Sequence, residues 1–129
     1  MVDKIKPKIL IAEDDLSSQQ YYSIILEDLY DLTIVSTVID ATELLKKNDY
    51  QIAIIDISLP GEGNGIDLIQ YVKARKKEYP ICIALTAHAF PHTRISALEA
   101  GAAEFFTKPI MSEALIASIE GHLKSLKSG

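Results

Sequence analysis

Reactive side chains stand at or just past the ends of four separate apolar runs: the carboxyls Glu13, Asp14 and Asp15, the carboxyl of Asp56, the hydroxyl of Thr86 and the ammonium of Lys108. A carboxylate nucleophile, a divalent cation, a hydroxyl donor and an ammonium are together the parts that receive a phosphoryl group. Each is weak by itself. Three adjacent acids are commonly a solvated turn or a helix start, and an aspartate ahead of Ile57-Ser58-Leu59-Pro60-Gly61 commonly caps that turn. A threonine ending an apolar run commonly bonds the backbone, and a surface lysine is ordinary. The combination carries the reading.

Two of the first three acids, joined by Asp56, make an oxygen-only cluster whose repulsion a hard divalent cation relieves. Mg²⁺ fits best, since it takes a few protein oxygens at roughly 2.1 Å and fills its octahedron with water, whereas Ca²⁺ wants more ligands. The chain has no EF-hand pattern or His/Cys zinc set, and His88, His92 and His122 have no ligand spacing. Lys108 precedes Pro109, which keeps it outside a helix and admits a cis peptide; either feature can aim the ammonium into the pocket.

These groups need elements that bring them together. Short apolar runs recur at Ile9 to Ala12, Leu32 to Val35, Ile52 to Ile55, Ile81 to Leu85 and, more weakly, Phe105-Phe106. Runs that are apolar at every position mark strands buried on both faces of a parallel sheet. Between them lie sets at helical spacing: Tyr21, Ile25 and Leu29; Ala41, Leu44 and Leu45; Ile66, Ile69 and Val72; Ile95 and Leu98; Leu115, Ile119 and Leu123. Ser17 with Gln20, and Asp40 with Glu43, have capping-box spacing, and Ser112 is placed to cap the last helix. Five strand-then-helix units imply right-handed crossovers and an open α/β sheet with helices on both faces. Side chains ending parallel strands emerge at one rim, so the scattered signals become one site.

The chain's 129 residues leave no room for a second domain, and their 48% hydrophobic content is enough for one core. A net charge of −5 repels a phosphate backbone, so direct DNA binding is not expected. A single cysteine, Cys82, lies inside an apolar run and reads as a small buried hydrophobe, with no disulfide possible within one chain. The first ten residues lack a signal-peptide pattern, and no apolar run is long enough to span a bilayer. A soluble, cytoplasmic protein without a membrane partner is expected, with a polar tail from Lys124 to Gly129 that frays.

Four ordered motifs give the chain a family resemblance: Ile9-Leu10-Ile11-Ala12-Glu13-Asp14; Ile54-Ile55-Asp56-Ile57-Ser58-Leu59-Pro60-Gly61; Ala84-Leu85-Thr86-Ala87-His88; and Ala100-Gly101-Ala102 leading to Phe105-Phe106-Thr107-Lys108-Pro109. The chain resembles the receiver domain of two-component response regulators, from Lys8 to about Leu126. The resemblance implies a flavodoxin-like (CheY-like) sheet of five parallel strands in the order 2-1-3-4-5, with five helices on both faces. It implies one receiver domain over residues 1–129, core 8–126, with no output domain following.

Roles then transfer by position. Asp56 matches the phosphoacceptor, which attacks the phosphohistidine of a sensor histidine kinase or a histidine phosphotransfer protein. Asp14 matches the direct Mg²⁺ ligand, Glu13 its largely water-mediated companion and the Ser58 backbone carbonyl a further oxygen; Mn²⁺ can substitute. Thr86 and Lys108 match the groups that hold the phosphoryl oxygens, while Asp15 falls outside the acidic pair. Phe105 matches the switch aromatic and, lacking a phenol hydroxyl, reads the switch by packing alone. The implied switch draws Thr86 toward the phosphoryl group and remodels helix four, strand five and helix five for a downstream protein target. Ser58 and His88 occupy positions that tune the lifetime of the acyl phosphate. Catalysis is confined to the domain's own phosphorylation and dephosphorylation, and the first helix is the family's docking site for kinases and phosphotransfer bundles.

One departure lies after Asp56, where Asn64 stands at the family's usual glycine position and Gly65 follows. A one-residue insertion and a longer loop over residues 61–65, rich in glycine, are expected. Three other readings compete. A haloacid-dehalogenase-like phosphatase uses similar groups but needs a second aspartate where Ser58 stands. A flavin carrier needs a phosphate loop where Glu13-Asp14-Asp15 would repel one. A receiver-like scaffold that is never phosphorylated predicts no phosphoryl uptake.

Overall fold

The computed structural model describes residues 5–59 and 64–128. Strands and helices alternate: β1 (Lys8–Ala12), α1 (Leu16–Leu26), β2 (Asp31–Val35), α2 (Val38–Lys47), β3 (Ile52–Asp56), α3 (Gly65–Ala74), β4 (Ile81–Thr86), α4 (Pro91–Ala100), β5 (Glu104–Thr107) and α5 (Ser112–Ser128). All the strand pairs are parallel, in the order β2-β1-β3-β4-β5. This is the flavodoxin-like order that the resemblance implies.

Alternation along each strand divides the core in two. Leu10, Ala12, Ala53, Ile55, Cys82 and Ala84 face one side, where Ala41 and Leu45 of α2, Leu68, Ile69 and Val72 of α3, and Ala97 and Ala100 of α4 cover them. Ile9, Ile11, Ile52, Ile54, Ile83 and Leu85 face the other, under Tyr22 and Leu26 of α1 and Leu115, Ile119 and Leu123 of α5. Each fully buried Ile or Leu contributes about 1.5–3 kcal/mol of transfer free energy. The sheet's centre is therefore the main source of packing energy, and the site sits at its rim.

Two helices turn a different face inward from the one their sequence suggests. In α1 the buried residues are Tyr22 and Leu26, with Ile25 of the expected stripe packed beside them, while Tyr21 is 37% exposed and Leu29 lies beyond the helix end. Both stripes have helical spacing, and only docking on the sheet selects between them. In α4 the small residues Ala97 and Ala100 are buried, whereas Ile95 is 56% exposed.

Helix starts differ as well. Asp15 caps α1, accepting from the Ser18 N–H at 2.9 Å, and Thr37 caps α2, accepting from the Asp40 N–H at 3.1 Å. Ser17 and Asp40 consequently fall in the first turns. Asn64 opens α3 with a reciprocal box, accepting from the Asp67 N–H at 3.1 Å while the Asp67 carboxylate accepts from the Asn64 N–H at 2.9 Å. Ser112 is the first residue of α5, and its hydroxyl donates to Glu113 at 2.9 Å. Among the described residues no helix is long and apolar enough to cross a membrane.

Candidate functional site

The strand register places the reactive groups at one level. Ala12 pairs with Ile55, Asp56 with Leu85 and Thr86 with Thr107, so Glu13, Asp56, Thr86 and Lys108 leave neighbouring strands at the same rim. Asp56 is 6% exposed and Glu13 1%, while Asp14 is exposed. One carboxylate oxygen from each of the three lies within 4.8 Å of the others. Three hard oxygen donors so close repel one another, which is the donor set a small divalent cation satisfies.

Lys108 neutralises part of this charge. Its ammonium donates to Asp56 Oδ2 at 2.9 Å and makes a very short contact with Glu13 Oε1. The Lys108–Pro109 peptide is cis, as the sequence allows. Burial by itself would lower the Lys108 pKa, but the hydrogen bonds and charges of Glu13 and Asp56 hold it above the ordinary lysine value. Burial raises the Glu13 carboxyl above the usual carboxylate range; Lys108 opposes the rise and Asp56 adds to it. The other Asp56 oxygen, Oδ1, accepts from the Ser58 N–H at 2.9 Å, which orients the carboxylate at the loop mouth.

Thr86 is 1% exposed, and its hydroxyl accepts from the His88 N–H at 3.2 Å. In this conformation it is engaged with its own loop. Phe105 pairs in register with Ala84 and packs, half-buried, on the core side that holds α3 and α4. Phe106 points to the opposite core.

Of the loop expected over residues 61–65, residues 61–63 lie outside the described residues, while Asn64 caps α3 and Gly65 is its first residue. Its far end is informative nonetheless. A Cβ on Gly65 would lie 2.3 Å from the Asp56 carbonyl oxygen and 2.5 Å from Ile57 Cα. Gly65 thus serves by lack of bulk, letting α3 start against the backbone that carries Asp56.

Several supporting contacts escaped the sequence reading. Gln19 Nε2 donates to the Glu13 carbonyl at 2.6 Å, and Ser18 Oγ lies 3.5 Å from the Lys108 ammonium. Tyr21 donates from its hydroxyl to the Ile110 carbonyl at 2.8 Å. Ser18 and Tyr21 are expected near the site as part of the docking face of the first helix, but no sequence signal points to these bonds. Asp15, outside the acidic pair, keeps its carboxyl below the usual range through the Ser18 N–H and then the Ser18 hydroxyl.

A parallel α/β sheet with acids, a threonine and a lysine gathered at its carboxyl rim defines a class of phosphoryl-handling domain. The family model for the response regulator receiver domain matches residues 9–120, and the chain belongs to that family. Among its relatives, the response regulator protein PilR of Pseudomonas aeruginosa is 34% identical over 81% of this chain and 23% of its own length. The transcriptional regulatory protein HprR of Escherichia coli is 32% identical over 91% of this chain and 52% of its own. The chain therefore spans about a quarter to a half of these curated relatives. Among solved structures, the signal receiver domain of a LuxO-type repressor from Vibrio parahaemolyticus superposes with a TM-score of 0.87 at 29% identity, covering 95% of this chain and 94% of that one.

Proposed function

We propose that Asp56 is the phosphoacceptor of this receiver and that the phosphoryl donor is a phosphohistidine on a sensor histidine kinase or a histidine phosphotransfer protein. The observation that carries the reading is the Asp56 carboxylate itself: nearly buried at a strand end, clasped by Lys108 at 2.9 Å and grouped with Glu13 and Asp14. A structural aspartate needs no such company.

In the transfer, an Asp56 carboxylate oxygen attacks phosphorus as the donor's P–N bond breaks. The departing imidazole keeps the bonding electrons and takes up a proton. Lys108 shields the approach of two anions and then holds a phosphoryl oxygen, while the Thr86 hydroxyl turns from His88 to donate to another. Glu13, Asp14, Asp56 and the Ser58 carbonyl are the groups that would hold Mg²⁺, or Mn²⁺ in its place, and the bound cation supplies charge neutralisation at the phosphoryl oxygens. Phosphorylation takes the Asp56 side chain from −1 to roughly −2 and adds three acceptor oxygens.

The Thr86 movement opens space beside the half-buried Phe105, which shifts the population of conformers at α4, β5 and α5. A protein target reads that surface. Ser58 and His88, two residues beyond Asp56 and Thr86, set how fast water removes the phosphoryl group. The receiver domain takes in residues 1–129, with its core over about 8–126, and works as one unit in the cytoplasm.

Incubation of the protein and its Asp56→Asn variant with Mg²⁺ and acetyl phosphate, followed by intact-mass measurement, tests the reading. One added phosphoryl group on the parent alone is expected. No uptake by the parent would favour an unphosphorylated scaffold.

A further inference from the structure

We infer that Tyr21 is a positioning residue for Lys108, fixing from α1 the chain segment that carries the ammonium. The inference rests on the phosphoryl-acceptor reading above. Lys108 stands between two tethers. Its own N–H donates to the Thr86 carbonyl at 2.8 Å, continuing the β4–β5 ladder, and two residues later the Ile110 carbonyl accepts from the Tyr21 hydroxyl at 2.8 Å. The segment Lys108-Pro109-Ile110 is thus held by the sheet at its start and by α1 at its end.

The same face of α1 also approaches the ammonium. Ser18, one turn before Tyr21, presents Oγ 3.5 Å from Lys108 Nζ and donates to Asp15 Oδ2 at 2.9 Å. Asp15, Ser18 and Tyr21 recur at intervals of three and share one face of the helix. The helix is itself anchored on the sheet by Tyr22, 2% exposed, and Leu26, 0% exposed, in the core with Ile9, Ile11 and Ile54. Tyr21, by contrast, is 37% exposed, so its hydroxyl is not a requirement of the core.

The mechanism asks the ammonium to leave its bridge between Glu13 and Asp56 and meet a phosphoryl oxygen at a defined point. Four rotatable side-chain bonds give lysine a wide search, and a fixed backbone root narrows it. Tyr21 touches neither the phosphoryl group nor the acids; it acts through the root of Lys108.

The test is a double-mutant cycle on the full chain, timing phosphoryl uptake from acetyl phosphate with Mg²⁺ by intact mass. Tyr21→Phe keeps the ring and removes one hydrogen bond. In the parent background it is expected to slow uptake about fivefold, the rate equivalent of losing one net hydrogen bond. In a Lys108→Ala background the same change is expected to alter the residual rate by less than about 1.5-fold, because the residue it acts through is gone. Equal slowing in both backgrounds, or none in the parent, overturns the inference while leaving the acceptor reading intact. No uptake by the parent overturns both. Should Lys108→Ala be too slow to time, the ¹³Cε-linked NMR signals of Lys108 decide. Their two methylene protons are expected to lose inequivalence in Tyr21→Phe, and unchanged splitting overturns the inference.

Discussion

Replacing Lys108 by methionine isolates the electrostatic demand of the acidic rim. The ammonium side chain is 15% exposed and faces partners exposed by 1% and 7%, so its removal leaves Glu13 and Asp56 as two nearly buried carboxylates without a counter-charge. Breaking a buried ion pair costs about 3–5 kcal/mol. The exposed Asp14 marks the side on which this rim opens to water, so the lower end applies, about 3 kcal/mol, or roughly 10 °C in melting temperature for a domain of this size. The deficit should depend on pH with a definite sign. Burial raises the folded-state pKa of Glu13 above its unfolded value, and loss of Lys108, which opposes the rise, raises it further. The folded variant then binds a proton that the unfolded chain releases, so stability falls as pH rises from the ordinary glutamate range through the raised value. Melts of parent and Lys108→Met at pH 7 and near pH 4.5, each with and without millimolar Mg²⁺, measure all of this. The deficit should be largest at pH 7 without Mg²⁺, shrink on acidification, and be relieved by Mg²⁺ more in the variant than in the parent. A deficit below about 1 kcal/mol, or one independent of both pH and Mg²⁺, would refute the picture of a charge-frustrated rim held by one lysine.

Gly65→Ala should destabilise the domain by more than about 2 kcal/mol and slow phosphoryl uptake, because its Cβ meets backbone atoms of Asp56 and Ile57 that have nowhere to go; urea denaturation with the uptake assay checks both. Asp15→Ala removes the α1 cap and should lower the urea midpoint without abolishing uptake. Glu104 is held below the ordinary carboxylate pKa by the Ser118 hydroxyl and then by His122, so its stabilisation is present at neutral pH and is lost as pH falls through that depressed value. Thermal melts of parent and Glu104→Gln should accordingly differ at pH 6 and converge toward pH 3; a constant gap would remove Glu104 as the cause. Leu115→Ala, at a fully buried position under the β1–β3–β4 face, should cost about 2–5 kcal/mol in chemical denaturation.

The amino-acid order alone determined the alternation of elements and the chemistry of the rim. Runs such as Ile52 to Ile55 and Ile81 to Leu85 are apolar at every position, which only doubly covered strands explain, and they coincide with β3 and β4. Parallel strands of similar length end together, so Glu13, Asp14, Asp56, Thr86 and Lys108 could be assigned to one rim before any distance was known. Helix periodicity could not decide between adjacent stripes: Tyr21, Ile25 and Leu29 repeat as well as Tyr22 and Leu26 do, and the choice depends on which stripe meets the sheet. Nor could it show that α4 buries Ala97 and Ala100 in place of its larger neighbours. The Lys108 bridge between Glu13 and Asp56, the closeness of Gly65 to the Asp56 carbonyl and the Tyr21 bond to Ile110 join residues from 9 to 95 positions apart. Such contacts exist only when strands are laid side by side, because chain spacing fixes which groups share a face but only packing fixes which groups touch.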